Sequence, residues 1–110
     1  QYFTKDLEGE KWMVIPDYLN YSVSSKGRIR NNRTNRLLKI DCSQKYPRIS
    51  FPDRKHYYIH RLVYCTFHND YDLEGFVIDH IDANPLNNNL ENLQKITQSE
   101  NCLKQKRFND

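Results

Sequence analysis

Hydrophobic residues fall in short runs broken by turn formers, and over the first sixty positions the pattern is that of a sheet. Trp12-Met13-Val14-Ile15 reads as a short strand ended by Pro16-Asp17. Tyr18 to Ser24 is extended, and Ser25-Lys26-Gly27 follows as a hairpin turn in which Gly27 can take a positive φ. Arg28-Ile29-Arg30 returns as the paired strand, with its isoleucine on one face and both arginines on the other. Asn31 to Asn35 is a further turn, before Leu37-Leu38. Tyr46 to Phe51 and His56 to Ile59 alternate again, separated by Pro52-Asp53-Arg54-Lys55. Gln1 to Glu10 is polar and is expected to fray.

Beyond residue 60 the spacing changes. His60 to Phe67 offers Leu62, Val63, Cys65 and Phe67 to a core at helical spacing, and Asn69 to Gly75 is an acidic loop. A strand, Phe76-Val77-Ile78, runs into the carboxylate and imidazole of Asp79 and His80. An Asn/Pro-rich loop spans Asp82 to Asn89, a second strand Leu93 to Ile96, and a helix follows, capped by Thr97 or Ser99 with Glu100 near its positive end. Strand, wide loop, strand and helix can fold Asp79, His80 and Asn101 back onto one point. Hard cations take carboxylate and carbonyl oxygens, and an imidazole beside them can deprotonate water. The pattern points to metal-assisted hydrolysis.

The fold class expected is therefore α+β: a small N-terminal antiparallel β-sheet with a helix, then a strand–strand–helix catalytic unit. Residues 1–60 form a basic β-rich region and residues 61–110 the helix plus catalytic unit, within one continuous domain. A chain of 110 residues suffices for one core. Its net charge of +3 conceals a partition. Residues 26–61 hold eleven bases against Asp41 and Asp53, while the flanking segments 1–25 and 62–110 are net −2 and −4. A basic block beside a carboxylate-bearing site reads as a polyanion-binding surface feeding a metal centre. Cys42, Cys65 and Cys102 are isolated and make no C-x-x-C pair, so no structural zinc is expected. Cys65 reads as a buried residue of the helix, and a reducing, intracellular setting is the simplest. No segment reads as a secretory leader or a bilayer span.

With Asn92 twelve residues and Asn101 twenty-one residues beyond His80, Asp79-His80-Ile81-Asp82, Asn84 and the Asn87-Asn88-Asn89-Leu90-Glu91-Asn92-Leu93 run, this half resembles the HNH signature of the ββα-metal nucleases. The likeness is greatest to the phage group I intron-encoded homing and nicking endonucleases. Upstream, Lys11-Trp12, Ile15-Pro16, Tyr18, Tyr21-Ser22-Val23-Ser24 and Gly27-Arg28-Ile29-Arg30 resemble the small nuclease-associated DNA-binding motif that precedes this branch. Ala83 stands where the family often has glycine, a position of low chemical consequence on this reading. The resemblance implies an endonuclease that hydrolyses phosphodiester bonds in double-stranded DNA with one divalent ion, Mg²⁺ or in its place Mn²⁺. It implies His80 as the base that deprotonates water, Asp79 and Asn101 as metal ligands, and Asn92 as a catalytic-site residue that shapes the hairpin. A phage-infected host's cytoplasm is the implied location. Full-length relatives carry further C-terminal DNA-binding helices, so target specificity is expected to lie partly outside this chain.

Blander readings compete. Asp82 is as readily a turn residue as a neighbour of the metal site, and Asn84, Asn87, Asn88 and Asn89 are mostly turn formers. His56, His60 and His68 lack partners at ligand spacing, and His60 fits a structural role or a phosphate contact. Lys26, Arg28, Arg30, Arg33, Arg36, Arg48, Arg54 and Lys55 are the DNA-binding residues expected within the basic block, with Tyr46, Tyr57 and Tyr58 adding groups that bond phosphates or stack. The alternative to an enzyme is a non-catalytic DNA-binding module derived from such a nuclease.

Overall fold

The computed structural model describes residues 6–101, and Cys102 lies outside them. Four strands, β1 (Trp12–Ile15), β2 (Tyr18–Ser24), β3 (Ile29–Asn31) and β4 (Arg36–Leu37), make an antiparallel sheet in that order. The pairing of β2 with β3 sets Val23 opposite Ile29 and leaves Ser25-Lys26-Gly27 as the turn between them. A second ribbon pairs β5 (Arg48–Ser50) with β6 (His56–Tyr58), and a third pairs β7 (Phe76–His80) with β8 (Leu93–Thr97). Between β6 and β7 lies α1 (Ile59–His68), one residue longer at each end than the spacing predicts. The fold is α+β.

Two-stranded ribbons are marginal in water by themselves, and here the helix joins them. α1 packs on β1, β2, β6, β7 and β8. Its Ile59, Leu62, Val63 and Thr66 recur at three and four residue intervals and are all buried. Ile59, Leu62 and Val63 meet Val23 and Ile29 from the first sheet, Ile49 from the second ribbon with Phe51 just beyond it, and Ile78 and Leu93 from the third, in one apolar cluster. The helix stops at Asn69, whose left-handed φ of 50° lets its N–H close on the Cys65 carbonyl. Cys65 is buried, Cys42 exposed, and neither is in a disulfide. Among the described residues no helix is long and apolar enough to cross a membrane.

Residues 6–10 do not fray as their polarity suggests. They form a turn locked by Glu10, whose N–H bonds the Leu7 carbonyl at 3.0 Å while its carboxylate accepts the Leu7 N–H at 3.0 Å. The same carboxylate takes the Arg28 guanidinium at two points, Nε–H to Oε2 at 2.8 Å and the terminal nitrogen to Oε1. Residues 1–5 of that stretch lie outside the described residues. Arg28, expected to face DNA beside Arg30, is thus committed to an internal carboxylate. Arg28 and Arg30 both lie over the Trp12 ring, at 5.5 and 4.2 Å from its centroid.

Burial would raise the Glu10 pKa, but the Arg28 guanidinium, the Leu7 amide and the Ser24 hydroxyl outweigh it. They hold the carboxyl at about 2, against an ordinary 4.5. A depressed carboxyl pKa contributes stability that is complete above 4.5 and lost as pH falls through about 2. Glu10→Gln should therefore cost about 1–3 kcal/mol at neutral pH. In paired thermal melts across pH, the gap between wild type and variant should close on the acid side of that window. A gap that persists below it would show that the ion pair is not its source.

Candidate active site

Alternation along β7 sends Ile78 and His80 toward the core and Val77 and Asp79 to the other face. Ile78 and His80 are buried, with His80 only 4% exposed. Its Nε2 lies 2.7 Å from the Asn88 side-chain oxygen. An amide oxygen only accepts, so Nε2 carries the proton and Nδ1 is the basic nitrogen of the neutral ring. Tyr46 stacks on the imidazole with centroids 6.0 Å apart and planes 18° from parallel. The His60 ring lies 4.9 Å away on α1. Burial first, and then the neighbouring charges of His80 and Arg61, push the His60 pKa down to about 3. His60 is thus neutral at physiological pH and does not compete with His80 for a proton.

The antiparallel register places Asp79 opposite Gln94, whose side-chain amide donates to the Asp79 carboxylate at 2.8 Å. Asn101, half-buried, follows on the helix that begins at Gln98. Thr97 and Glu100 start that helix reciprocally. The Glu100 N–H bonds the Thr97 hydroxyl oxygen at 3.2 Å, and the Glu100 carboxylate accepts the Thr97 N–H at 3.3 Å. Thr97, not Ser99, is the cap. Among the described residues no group of three or more His, Cys, Asp or Glu side chains converges as a metal site. Asp79, next to His80 in β7, offers a hard carboxylate oxygen, and Asn101 on the following helix offers a hard amide oxygen.

The loop between the strands is built from side chains. Asn92 gives its amide N–H to Asp82 Oδ1 and to the Asn87 carbonyl, both at 2.9 Å, and accepts the Asp82 N–H at 3.2 Å. Asp82 also takes the Asn87 amide and the Asn84 N–H, each at 2.8 Å. Asp82 is therefore the loop's internal anchor. Ala83, where glycine is frequent, sits at φ 63° while its N–H bonds the His80 carbonyl at 2.9 Å. Its consequence is conformational, since a side chain in that region is strained. Of the asparagines, Asn88 turns inward to His80 while Asn84 and Asn87 bond within the loop.

The expected DNA-binding residues are dispersed. Lys26 is on the β2–β3 turn, Arg33 on the β3–β4 turn, Arg36 at the start of β4, and Arg54 and Lys55 on the β5–β6 turn, the last four exposed. Arg48 pairs with Asp41 at 3.3 Å. Beside the aromatic rings that pack on His80 and His60 lie two bases that sequence spacing alone did not single out. Lys45 sits 5.4 Å from the Tyr46 ring and Arg61 lies 5.6 Å from the Tyr58 ring. His56 bonds Ser50 and His68 packs on Tyr64. Asn88 and His60 touch His80 and Gln94 touches Asp79, contacts the sequence does not single out, and only that of Gln94 is open to inference, from the register of the hairpin.

Residues 57–103 match the HNH endonuclease family profile, and residues 10–51 match the NUMOD4 motif. The H-N-H endonuclease F-TflII of Escherichia phage T5 is 32% identical over 100 residues, 86% of this chain and 52% of that protein. The DNA endonuclease I-HmuI of Bacillus phage SP01 is 34% identical over 96 residues, 83% of this chain and 55% of that protein. An uncharacterized HNH endonuclease, L245, of Acanthamoeba polyphaga mimivirus is 37% identical over 87 residues, 76% of this chain and 26% of its own length. The chain thus spans between a quarter and a little over half of these relatives. A solved structure of DNA binding and cleavage by the HNH homing endonuclease I-HmuI superimposes with a TM-score of 0.78 at 33% identity. The overlap covers 90% of this chain and 59% of that one.

Asn92 is the joint of the loop, and Asn92→Ala should loosen it without touching the core. The Asn87 amide, the Asn84 N–H and the Asn92 amide hold the Asp82 carboxyl at about 2, against an ordinary 3.8. In the variant its pKa should move up toward the ordinary value, as read by NMR titration of the carboxyl carbon. The melting temperature should fall by roughly 4–8 °C. An Asp82 titration unchanged from wild type would show that Asn92 does not anchor the loop.

Proposed function

The chain carries an HNH endonuclease domain with a NUMOD4 motif ahead of it, and from that premise we propose that it hydrolyses phosphodiester bonds in double-stranded DNA. The single observation that carries the reading is the buried imidazole of His80, fixed by Asn88 in one tautomer at the end of β7 and directly following Asp79. His80 takes the proton of the attacking water at Nδ1. Asn88 keeps the ring from rotating, and the Tyr46 and His60 rings wall it from two sides. His60, staying neutral, adds no charge against the imidazolium as it forms. Asn92 and Asp82 keep the loop in the shape that delivers Asn88.

The hard oxygens of Asp79 and Asn101 suit a divalent cation that keeps several waters, Mg²⁺ by choice with Mn²⁺ able to substitute. When bound, such an ion stabilises charge on the phosphate and the leaving 3′-oxygen. Gln94 orients the Asp79 carboxylate for that purpose through the 2.8 Å bond. Lys45 and Arg61, beside Tyr46 and Tyr58, are suited to hold the backbone around the scissile phosphate. Lys26, Arg30, Arg33, Arg36, Arg54 and Lys55 extend the grip along the duplex. A single such site among the described residues favours a single-strand nick as the product, inside the cell where the DNA lies.

A supercoiled plasmid incubated with and without Mg²⁺ tests this directly. The intact protein should convert it to the nicked form only with the ion, and His80→Ala should slow that conversion on the order of 10²–10⁴-fold with duplex affinity retained. Cleavage at the wild-type rate by His80→Ala removes the base, and binding without any cleavage leaves a DNA-binding module.

Grip and chemistry should separate. Arg54→Ala combined with Lys55→Ala should weaken binding to any duplex sequence, and each phosphate-neutralising cation removed should flatten the log K against log[salt] slope by about 0.9. Cleavage should recover at high protein concentration. An unchanged slope would remove the β5–β6 turn from the interface.

A further inference from the structure

The turn that opens the N-terminal hairpin touches the loop that holds the base. Ser24, Ser25, Lys26 and Gly27 close a turn through the Gly27 N–H and the Ser24 carbonyl at 3.0 Å. The Ser25 carbonyl then accepts the Leu90 N–H at 2.8 Å, and the Ser25 hydroxyl accepts the Lys11 N–H at 3.0 Å. Gly27 is buried at φ +87°. A Cβ built on it would stand 2.9 Å from Asn88 Cβ and 3.2 Å from the Asn88 carbonyl oxygen. Those are not the free end of a long side chain and cannot swing aside. The same Asn88 carries the oxygen that fixes His80.

We propose that Gly27 is a positioning residue for the cleavage reaction: the bare backbone of the NUMOD4 turn sets Asn88, and Asn88 sets the tautomer and orientation of His80. The inference rests on reading His80 as the general base. It makes the N-terminal motif part of the machinery that orders the catalytic ring, in addition to any contact it makes with DNA. The close approach is specific to this glycine. Gly75 has a comparable φ of +80° with nothing within 4 Å of where its Cβ would lie.

That contrast supplies the control. Gly27→Ala and Gly75→Ala incur a similar backbone strain, and only the first pushes on Asn88. Nitrogen NMR of the His80 ring, at a pH where it is neutral and without added metal, reads the tautomer. Wild type and Gly75→Ala should show a protonated Nε2, while Gly27→Ala should shift toward a mixture of the two forms. The cleavage rate at saturating duplex should fall on the order of 10–100-fold in Gly27→Ala, the cost of a misplaced catalytic group, with duplex affinity little changed. Gly75→Ala should keep its rate. Wild-type ring signals and rate in Gly27→Ala would overturn the proposal, as would equal losses in both glycine variants. Should Gly27→Ala not fold, Asn88→Asp, which keeps an acceptor for Nε2–H, is compared with Asn88→Leu, which has none. Retention of the Nε2–H tautomer in the first and its loss in the second, read by the ring nitrogens alone, supports the link, and wild-type ring signals in Asn88→Leu overturn it. If the wild-type protein cuts no duplex, the endonuclease reading fails, while the ring signals still decide whether the turn positions His80.

Discussion

Asp79 and His80 are neighbours in a strand, and neighbours in a strand point to opposite faces. His80 needs surroundings that the β7–β8 ribbon cannot provide alone, and the rest of the molecule is disposed to supply them. On the His80 face stand α1, Tyr46 and the inward-turned Asn88, which leave the ring 4% exposed. Asp79 receives Gln94 from the paired strand. The ribbon thus has a dry face that holds the His80 imidazole and a wetter face that holds the Asp79 carboxylate. The strand–loop–strand geometry, and not any single side chain, makes that division.

Charge is used in two distinct ways. Most of the basic block is solvated and lies on turns, where a polyanion can reach it. Arg28 instead meets Glu10, whose side chain is fully buried, and helps to turn a polar leader segment into folded structure. Buried ion pairs yield modest net stability after desolvation, though losing one partner is costly. Their use here is geometric: the pair ties residues 6–10 to the start of β3 and sets the edge on which Trp12, Arg28 and Arg30 meet.

Strand and helix positions were legible because period two and period 3.6 differ plainly in this sequence, and the extra residue at each end of α1 is ordinary fraying of such boundaries. The strand–loop–strand–helix order around Asp79, His80 and Asn101 was legible for the same reason. What was hidden depended on contacts between distant segments. Nothing in Asn87-Asn88-Asn89 says which amide turns inward, since all three favour turns equally; in the fold it is Asn88, the one that lies against Gly27. Glu10 looked like solvent-facing polarity because its partner is eighteen residues away. His60 fitted a structural role or a phosphate contact, and only the docking of α1 sets its ring against His80.

The approach of Gly27 to Asn88 bears on how such chains can be shuffled. The two family matches are separated by only a few residues, between 51 and 57, and that gap looks like a convenient seam for exchanging front halves among relatives. Across it, however, the halves share an apolar core and a fitted backbone contact. A hybrid keeps that contact only when the incoming front half leaves room for Asn88 at the tip of its hairpin, as the bare Gly27 does here. Recombination at this seam is therefore screened by fit, and the front and back halves are constrained to change together where they touch.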